Sequence, residues 1–249
     1  MLAYYHSLTP FRKLFQTGVP VLTYHKVGPR PRRARLKGLY VSARLFARQM
    51  DELKQAGFEA PPFGDAFRDP NAPAARIALT FDDGFQNVLK HALVPLARNR
   101  FHAIQFLVAG LLGRSNEWEQ REGGTPEPLM DVPQVREWLA AGHDIGSHTL
   151  THPHLTQLPP RQAREEIFAS KKKLENLFGR PIRHFCYPYG DWNEVIRELV
   201  REAGYETACT TGPGVNTAAD SPFALKRFTA RYPSRNLKAI WSRLSAGRW

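Results

Sequence analysis

The sequence predicts a single α/β domain in which about seven parallel strands close, or nearly close, into a barrel. Two observations support this prediction. Apolar runs of strand length alternate along the chain with segments that have helical spacing. Acidic residues and histidines directly follow several of the apolar runs, and a barrel places its chemical groups at these carboxyl ends of the strands. We assign residues 1–18 to an N-terminal extension and residues 19–249 to the domain.

The predicted strands are short apolar runs, at residues 19–25, 77–82, 101–109, 143–147, 184–187 and 205–210. The predicted helices lie between them, at residues 42–57, 86–98, 132–141, 160–178 and 192–203. Ser42 is the expected N-cap of the first helix, and Gly142 and Gly179 are expected just past the ends of later helices. Pro95 is expected to break or kink the second helix. Residues 28–38 and 113–128 are rich in Gly and Pro and are predicted to be loops.

The chain is strongly basic, with 35 Lys and Arg against 23 Asp and Glu, which gives a net charge of +12. Much of this charge lies in residues 26–37 and 171–173. A basic surface attracts anions such as nucleic acid, anionic glycans or a membrane face, and the alternative is a solvated surface with no such partner. Because no nucleic-acid motif accompanies the charge, we expect no nucleic-acid binding.

Two features of the sequence bear on the location of the protein. No apolar run reaches the roughly 18 residues of a membrane-spanning helix, and the first 20 residues lack the features of a signal peptide. These observations favour a cytoplasmic or membrane-peripheral protein and leave an extracytoplasmic location open. Residues 236–244 have an apolar helical face that either packs against the domain or lies on a membrane surface. Cys186 and Cys209 are expected to be two buried thiols.

Two short motifs predict the chemistry, Thr-Phe-Asp-Asp-Gly at residues 80–84 and Ser-His-Thr-Leu-Thr-His at residues 147–152. Asp83, His148 and His152 can together hold one divalent metal ion and leave one position open for water, as in catalytic rather than structural sites. The metal would lower the pKa of that water and polarise a carbonyl group, while Asp82 stays available as a general base. The ligand types suit zinc best, with cobalt, nickel and manganese as alternatives. Either motif alone also fits ordinary surface residues.

The two motifs resemble the first two signature motifs of the polysaccharide deacetylases, the NodB-homology group of carbohydrate esterase family 4. Residues 142–146, Gly-His-Asp-Ile-Gly, precede the histidine pair as they do in that family. The resemblance spans roughly residues 19–232. It implies a distorted (β/α) barrel and the removal of N-acetyl groups from amino sugars. It also implies that Asp82 is the base and that Asp83, His148 and His152 are the metal ligands.

The sequence departs from the commonest family pattern in two places. The third family motif usually reads Arg-x-Pro-Tyr-Gly, whereas residues 186–190 read Cys-Tyr-Pro-Tyr-Gly, so Cys186 stands where an Arg normally steadies the base. The late Leu-x-His motif, which supplies the general acid, is replaced by Leu-Lys-Arg at residues 225–227. Arg227 is therefore a candidate to steady Asp82. The backbone N–H of Tyr189 is expected to help hold the oxyanion, as in the family.

A subset of the family is more similar still. Tyr24-His25 and the motif around residues 185–190 resemble the deacetylases of biofilm poly-N-acetylglucosamine, whose motifs are circularly permuted. In these proteins an early His can replace the missing late one, so His25 is the candidate general acid, and the alternative is a structural His at a strand end. Trp192, Trp118 and Tyr187 are candidates to stack on sugar rings, with core packing as the alternative.

The sequence thus predicts a monomeric, metal-dependent hydrolase that removes N-acetyl groups from amino sugars. Its expected partner is an N-acetylated glycan, as a polysaccharide, an oligosaccharide or a lipid-linked glycan, with peripheral contact to a membrane or an anionic carrier. One alternative is a hydrolase of another C–N bond or of an acetyl ester on the same fold. The other is a non-catalytic glycan-binding homologue.

Overall fold

The computed structural model describes residues 4–32, 34, 36–68, 75–121 and 123–231. Its strands are β1 (Tyr4–Tyr5), β2 (Val19–Tyr24), β3 (Lys26–Val27), β4 (Tyr40–Val41), β5 (Ala78–Phe81), β6 (Ile104–Leu107), β7 (Asp144–Ser147), β8 (His184–Cys186), β9 (Thr207–Cys209), β10 (Val215–Asn216) and β11 (Phe228–Ala230). Its α-helices are α1 (Ala43–Gln55), α2 (Gln86–Asn99), α3 (Glu117–Arg121), α4 (Val132–Ala140), α5 (Pro160–Phe178) and α6 (Glu194–Glu202).

A curled sheet of eight parallel strands forms the centre of the described structure. The strands lie in the order β1-β11-β2-β5-β6-β7-β8-β9, and β10 pairs with β2 in the antiparallel direction. A parallel bridge between Cys209 and Leu225 links the far strand β9 to the segment that leads into β11. The sheet therefore curls into a half-barrel accompanied by helices. This confirms the predicted barrel-like α/β class and the single domain, with eight parallel strands where about seven were expected.

Local sequence signals explain several of the helix ends. The hydroxyl of Ser42 accepts the backbone N–H of Leu45, as expected of the N-cap of α1. Helix α5 has the predicted bounds and ends at Gly179, whose φ of 64° is a left-handed conformation that glycine adopts without strain. Helix α2 continues through Pro95 to Asn99, so the proline does not end it.

The described residues before position 19 pack against the same core as the rest of the domain. Tyr5 lies in β1, beside β11, and is fully buried. The rings of Phe11 and Phe15 lie 5.2 and 5.5 Å from the ring of Phe228 in β11. The domain boundary at residue 18 remains a prediction, although this segment contributes a strand and aromatic packing to the domain.

Other predictions can be compared directly with the described residues. Cys186 and Cys209 are free, buried thiols, as expected. The stretch predicted as a loop at residues 113–128 contains the short helix α3. None of the helices that the structure describes combines the length and the apolar character needed to cross a bilayer. The predicted helix at residues 236–244 lies outside the described residues.

Candidate metal centre and active site

The polar residues that follow the strands meet in one cavity of about 380 Å³. His25 directly follows β2, Asp82 follows β5 and His148 follows β7, so the parallel strands deliver these side chains to the same end of the sheet. Seven of the eight predicted site residues line this cavity: His25, Asp82, Asp83, His148, His152, Tyr189 and Arg227. The eighth, Trp192, does not.

Asp83, His148 and His152 form a buried cluster that fits a metal ion. The Oδ1 atom of Asp83 lies 3.4 Å from the Nε2 atoms of both histidines. The Nδ1 atom of His148 lies 2.7 Å from the carbonyl oxygen of Cys186. Since a carbonyl oxygen only accepts, this Nδ1 carries the proton, and the lone pair of Nε2 points towards Asp83 in the neutral ring. A carboxylate and two imidazoles that converge in this way suit zinc and similar divalent ions.

The two histidines converge through a strained turn rather than through a helix. Thr149 and His152 have φ values of 68° and 65°, in the left-handed region that side chains with a Cβ rarely adopt. The hydroxyl of Thr149 accepts the N–H of His152 at 3.0 Å. The carboxylate of Glu166, on α5, accepts the N–H groups of Leu150 and Thr151 at 2.8 and 3.0 Å. These hydrogen bonds hold the turn in the shape that brings both rings to Asp83.

The neighbouring carboxylate, Asp82, is held by the guanidinium group of Arg227. Two parallel hydrogen bonds of 2.8 Å join Nη1 and Nη2 of Arg227 to Oδ1 and Oδ2 of Asp82. The same guanidinium donates to the carbonyl of Thr210 at 2.8 Å, to the hydroxyl of Thr80 at 3.1 Å and to the sulfur of Cys186 at 3.1 Å. All five N–H donors of the guanidinium thus have acceptors. The two adjacent aspartates therefore have separate partners.

The charges around Asp82 set its protonation state. Burial would raise the pKa of Asp82 and is the largest single influence on it. The charge and hydrogen bonds of Arg227, together with the nearby His25 and His148, outweigh burial, so the pKa lies below its ordinary value. Asp82 is therefore ionised at neutral pH. Burial raises the pKa of the Cys186 thiol to about 11, although Arg227 opposes the effect, so the thiol is neutral. His25 is largely buried, which lowers its pKa, and its Nε2 lies 3.8 Å from Oδ2 of Asp82.

Aromatic side chains form the walls of the cavity beside the metal-binding cluster. The ring of Trp118 stacks on the ring of His152 with centroids 4.4 Å apart. The ring of Tyr189 meets another side of His152, edge-on, at 4.6 Å, and stacks on His154 at 3.8 Å. Tyr189 has a φ of 59°, another left-handed conformation. At the next residue, Gly190, a Cβ atom would lie 2.1 Å from the hydroxyl of Thr211, so only glycine fits there.

Two residues lie in surroundings that the sequence did not indicate. Trp192 lies beside Tyr187, with ring centroids 6.2 Å apart, and is not among the residues that line the cavity, whereas Trp118 and Tyr187 are. A contact of Trp192 with a sugar ring stays a prediction. Lys26, counted from the sequence with the basic surface cluster, is buried and bonds both carboxylate oxygens of Glu119 at 2.9 Å. Sequence reasoning missed Glu119, since the helix that carries it lies in a stretch rich in Gly and Pro.

The fold and the site together define a class of protein. Its members have a curled parallel β/α sheet and a candidate metal centre at the carboxyl ends of the strands. The sequence profile of the polysaccharide deacetylase family matches residues 69–208, more than half of the chain. The chain belongs to the polysaccharide deacetylase family, which confirms the resemblance seen in its motifs and indicates a hydrolytic enzyme. The subset with permuted motifs remains a prediction.

Three similar proteins illustrate this membership. YxkH of Bacillus subtilis is 25% identical over 213 residues, which cover 84% of this chain and 70% of YxkH. A chitooligosaccharide deacetylase of Azorhizobium caulinodans is 28% identical over 130 residues, 51% of this chain. This match spans about half of that protein's length, 54%. The structure of IcaB from Ammonifex degensii superposes with a TM-score of 0.74 at 27% identity, covering 92% of this chain and 96% of IcaB.

Proposed function

We propose that this protein is a metal-dependent hydrolase that removes acetyl groups from N-acetylated amino sugars in a polysaccharide, an oligosaccharide or a lipid-linked glycan. The observation that carries the proposal is the separation of two adjacent carboxylates. Asp83 faces the imidazoles of His148 and His152, whereas Asp82 accepts two hydrogen bonds from Arg227. One carboxylate is thus placed to bind a metal ion and the other to move a proton. The name of the Azorhizobium relative points to the same kind of substrate.

Asp83, His148 and His152 would hold the metal ion. Their carboxylate and imidazole donors suit zinc best, and cobalt, nickel or manganese are the alternatives. Such an ion, when bound, supplies Lewis-acid chemistry for the hydrolysis of an amide. Burial of the three side chains keeps their donor atoms fixed for this purpose.

Asp82 acts as the general base in this proposal. It accepts a proton from the water molecule that attacks the acetyl carbonyl carbon. The two hydrogen bonds from Arg227 use one lone pair on each carboxylate oxygen, and the thiol of Cys186 also donates to Oδ2 at 3.7 Å. Oδ1 therefore retains a lone pair for an O–H donor. Arg227 therefore fixes the direction of the carboxylate without occupying it completely.

His25 acts as the general acid. Its Nε2 atom, 3.8 Å from Oδ2 of Asp82, stands on the same side of the cavity as the base. In its protonated, imidazolium form, His25 gives a proton to the nitrogen of the leaving amine as the bond between that nitrogen and the acetyl carbon breaks. This step releases acetate and a free amino sugar and leaves His25 neutral. The backbone N–H of Tyr189 is proposed to help hold the developing oxyanion, on the basis of its position at the cavity and of the family resemblance.

The test is acetate release by the zinc-loaded protein from chitin oligomers, β-1,6-linked N-acetylglucosamine oligomers and an aryl acetate. Asp82→Asn is expected to lower kcat by about 10²- to 10⁴-fold and to leave zinc binding in a calorimetric titration intact. Asp83→Asn should weaken zinc binding itself, and Asp65→Asn, at an exposed ion pair, is the matched control. Absence of acetate release from every glycan, or normal turnover by Asp82→Asn, would overturn the proposal. Near-normal turnover by His25→Ala would remove the role of His25 alone.

A further inference from the structure

Arg231 lines the same cavity as the metal-binding cluster, and none of the described residues gives it an acidic partner there. Its guanidinium carbon lies 3.8 Å from the centre of the Tyr4 ring. Within the described ranges, no carboxylate forms an ion pair with Arg231, and its Nε atom is buried without a hydrogen-bond partner. The residues that follow it in the sequence, 232–249, include no Asp or Glu. A guanidinium group without an acidic partner can donate hydrogen bonds to a bound anion.

The strand register places Arg231 beside the candidate general acid. Thr229 of β11 pairs with Thr23 of β2, and the two strands are parallel neighbours. Arg231 and His25 each lie two residues beyond this pair, just past the ends of the two strands. They are therefore neighbours across the sheet, on backbone segments that are roughly 4.8 Å apart. A group bound by Arg231 would thus lie within the length of one or two sugar units from the nitrogen that His25 is proposed to protonate.

The remaining charges of the cavity are already balanced within the described structure. Asp82 is paired with Arg227, and Glu119 is paired with Lys26. Asp83 belongs to the metal-binding cluster. Arg231 is therefore the one lining cation of the described residues that no lining carboxylate neutralises. Such a charge at the mouth of a cavity attracts anions and can bind a carboxylate or a phosphate through two parallel hydrogen bonds.

The surface around Arg231 is suited to a sugar. Tyr4 and Leu36 are exposed, with 48% and 44% of their surfaces accessible, and both line the mouth of the cavity. Tyr189, 41% exposed, lines it as well. Aromatic and aliphatic side chains of this kind pack against the C–H faces of sugar rings, while the arginine provides a directed charge.

We propose that the substrate of this site is an acidic glycan. The sugar that carries the acetamido group, or the sugar joined to it, bears an anionic oxygen group, a carboxylate or a phosphate, that Arg231 binds. This inference rests on the proposed deacetylase function and deepens it, since it assigns Arg231 as a specificity-determining residue. A neutral glycan offers hydroxyl oxygens as acceptors but no negative charge, so it lacks the charge-assisted hydrogen bonds that an anionic group would form with the guanidinium.

The experiment compares three β-1,4-linked disaccharides that differ in charge. They are N,N′-diacetylchitobiose, its 1-phosphate, and the disaccharide of N-acetylglucosamine and N-acetylmuramic acid, which carries a carboxylate. We expect kcat/KM for acetate release to be about tenfold or more higher for at least one anionic disaccharide, mainly through KM, and the preference to shrink as salt is added. The anionic disaccharide with the higher kcat/KM shows whether a phosphate or a carboxylate is the recognised group.

Variants separate recognition from structure. Arg231→Met should remove the preference for the anionic disaccharide, and Arg231→Lys should retain part of it. Arg161→Met, at an exposed arginine on α5, should keep the wild-type preference. Thermal unfolding of each variant checks that β1 still packs on the sheet. Equal or better hydrolysis of the neutral disaccharide by the wild type, or an unchanged preference in Arg231→Met, would overturn this inference alone. Hydrolysis of none of the three, nor of any other glycan, would overturn the deacetylase function and this inference with it.

Discussion

Asp82 is held by the guanidinium group of Arg227. We expect the site to be preserved when this group is supplied from position 186 instead of position 227, and to be damaged when it is removed altogether. The sulfur of Cys186 lies 3.1 Å from Nη2 of Arg227 and 3.7 Å from Oδ2 of Asp82. A long side chain at position 186 would therefore start next to the same carboxylate. In the commonest pattern of the family, an Arg stands at this position. The informative set of variants is Arg227→Ala, Cys186→Arg and the two combined.

The magnitudes follow from the buried charges. Arg227→Ala leaves Asp82, 3% exposed, without a cation, which should cost about 3–5 kcal/mol of unfolding free energy. Cys186→Arg alone places two buried cations on one carboxylate and overpacks the site, at a cost of roughly 3 kcal/mol. The double variant restores one cation, and the side chains at the two positions keep nearly their total volume. Its expected loss is only about 2 kcal/mol, so the two substitutions should be coupled by roughly 4–6 kcal/mol.

Urea unfolding followed by tryptophan fluorescence measures these free energies, and acetate release measures the state of the base. Arg227→Ala should lower kcat by about tenfold or more, because Asp82 loses its orientation, and the double variant should recover much of this loss. Arg161→Ala, exposed on α5, is the matched control and should change stability by less than about 0.5 kcal/mol. A double variant that loses the full sum of the two single losses would refute the argument that the guanidinium, rather than residue 227 itself, is what the site requires.

Two other predictions concern buried groups outside this pair. Lys26→Met leaves Glu119 buried without its cation and should destabilise the protein by about 3 kcal/mol in urea unfolding. Adding Glu119→Gln should recover part of this loss, and no recovery would contradict the proposed pairing. Burial, together with the nearby charge of His102, lowers the pKa of His143 to about 4 in the folded protein, against an ordinary value of 6.5. Because the folded pKa is the lower one, the contribution of His143 is complete above pH 6.5 and is lost as the pH falls towards 4, by about 2 kcal/mol between pH 7 and pH 5. Unfolding of His143→Asn should show a correspondingly smaller dependence on pH, and an identical dependence in both proteins would contradict this account.

The sequence predicted the parts of the fold that depend on local patterns. The bounds of α5 came from the apolar spacing between Pro160 and Gly179, and the cap of α1 came from Ser42. The strands β1, β10 and β11 were not predicted, because runs of two or three residues are too short to show a period of two. Their positions depend on partners far away in the chain, which a single sequence does not reveal.

The candidate site divides in the same way. Asp82, Asp83, His148 and His152 were found because each pair lies within one short motif. Arg231 has no motif around it, and it reaches the cavity only because β11 lies beside β2 in the folded sheet. Of the three aromatic candidates, Trp118 and Tyr187 line the cavity and Trp192 does not, and only tertiary packing decides this.

The left-handed residues of the site have a consequence for how the protein responds to selection. Among the residues that the structure describes, five other than glycine have positive φ, and four of them line or shape the site: Asp83, Thr149, His152 and Tyr189. Each such conformation costs about 1 kcal/mol, so the four together cost roughly 4 kcal/mol, a large share of the 5–15 kcal/mol by which domains are usually stable. Laboratory evolution for heat resistance alone should therefore replace Tyr189, which is exposed, with glycine or asparagine. Evolution under selection for turnover should keep Tyr189, so stability and activity place opposite demands on this position.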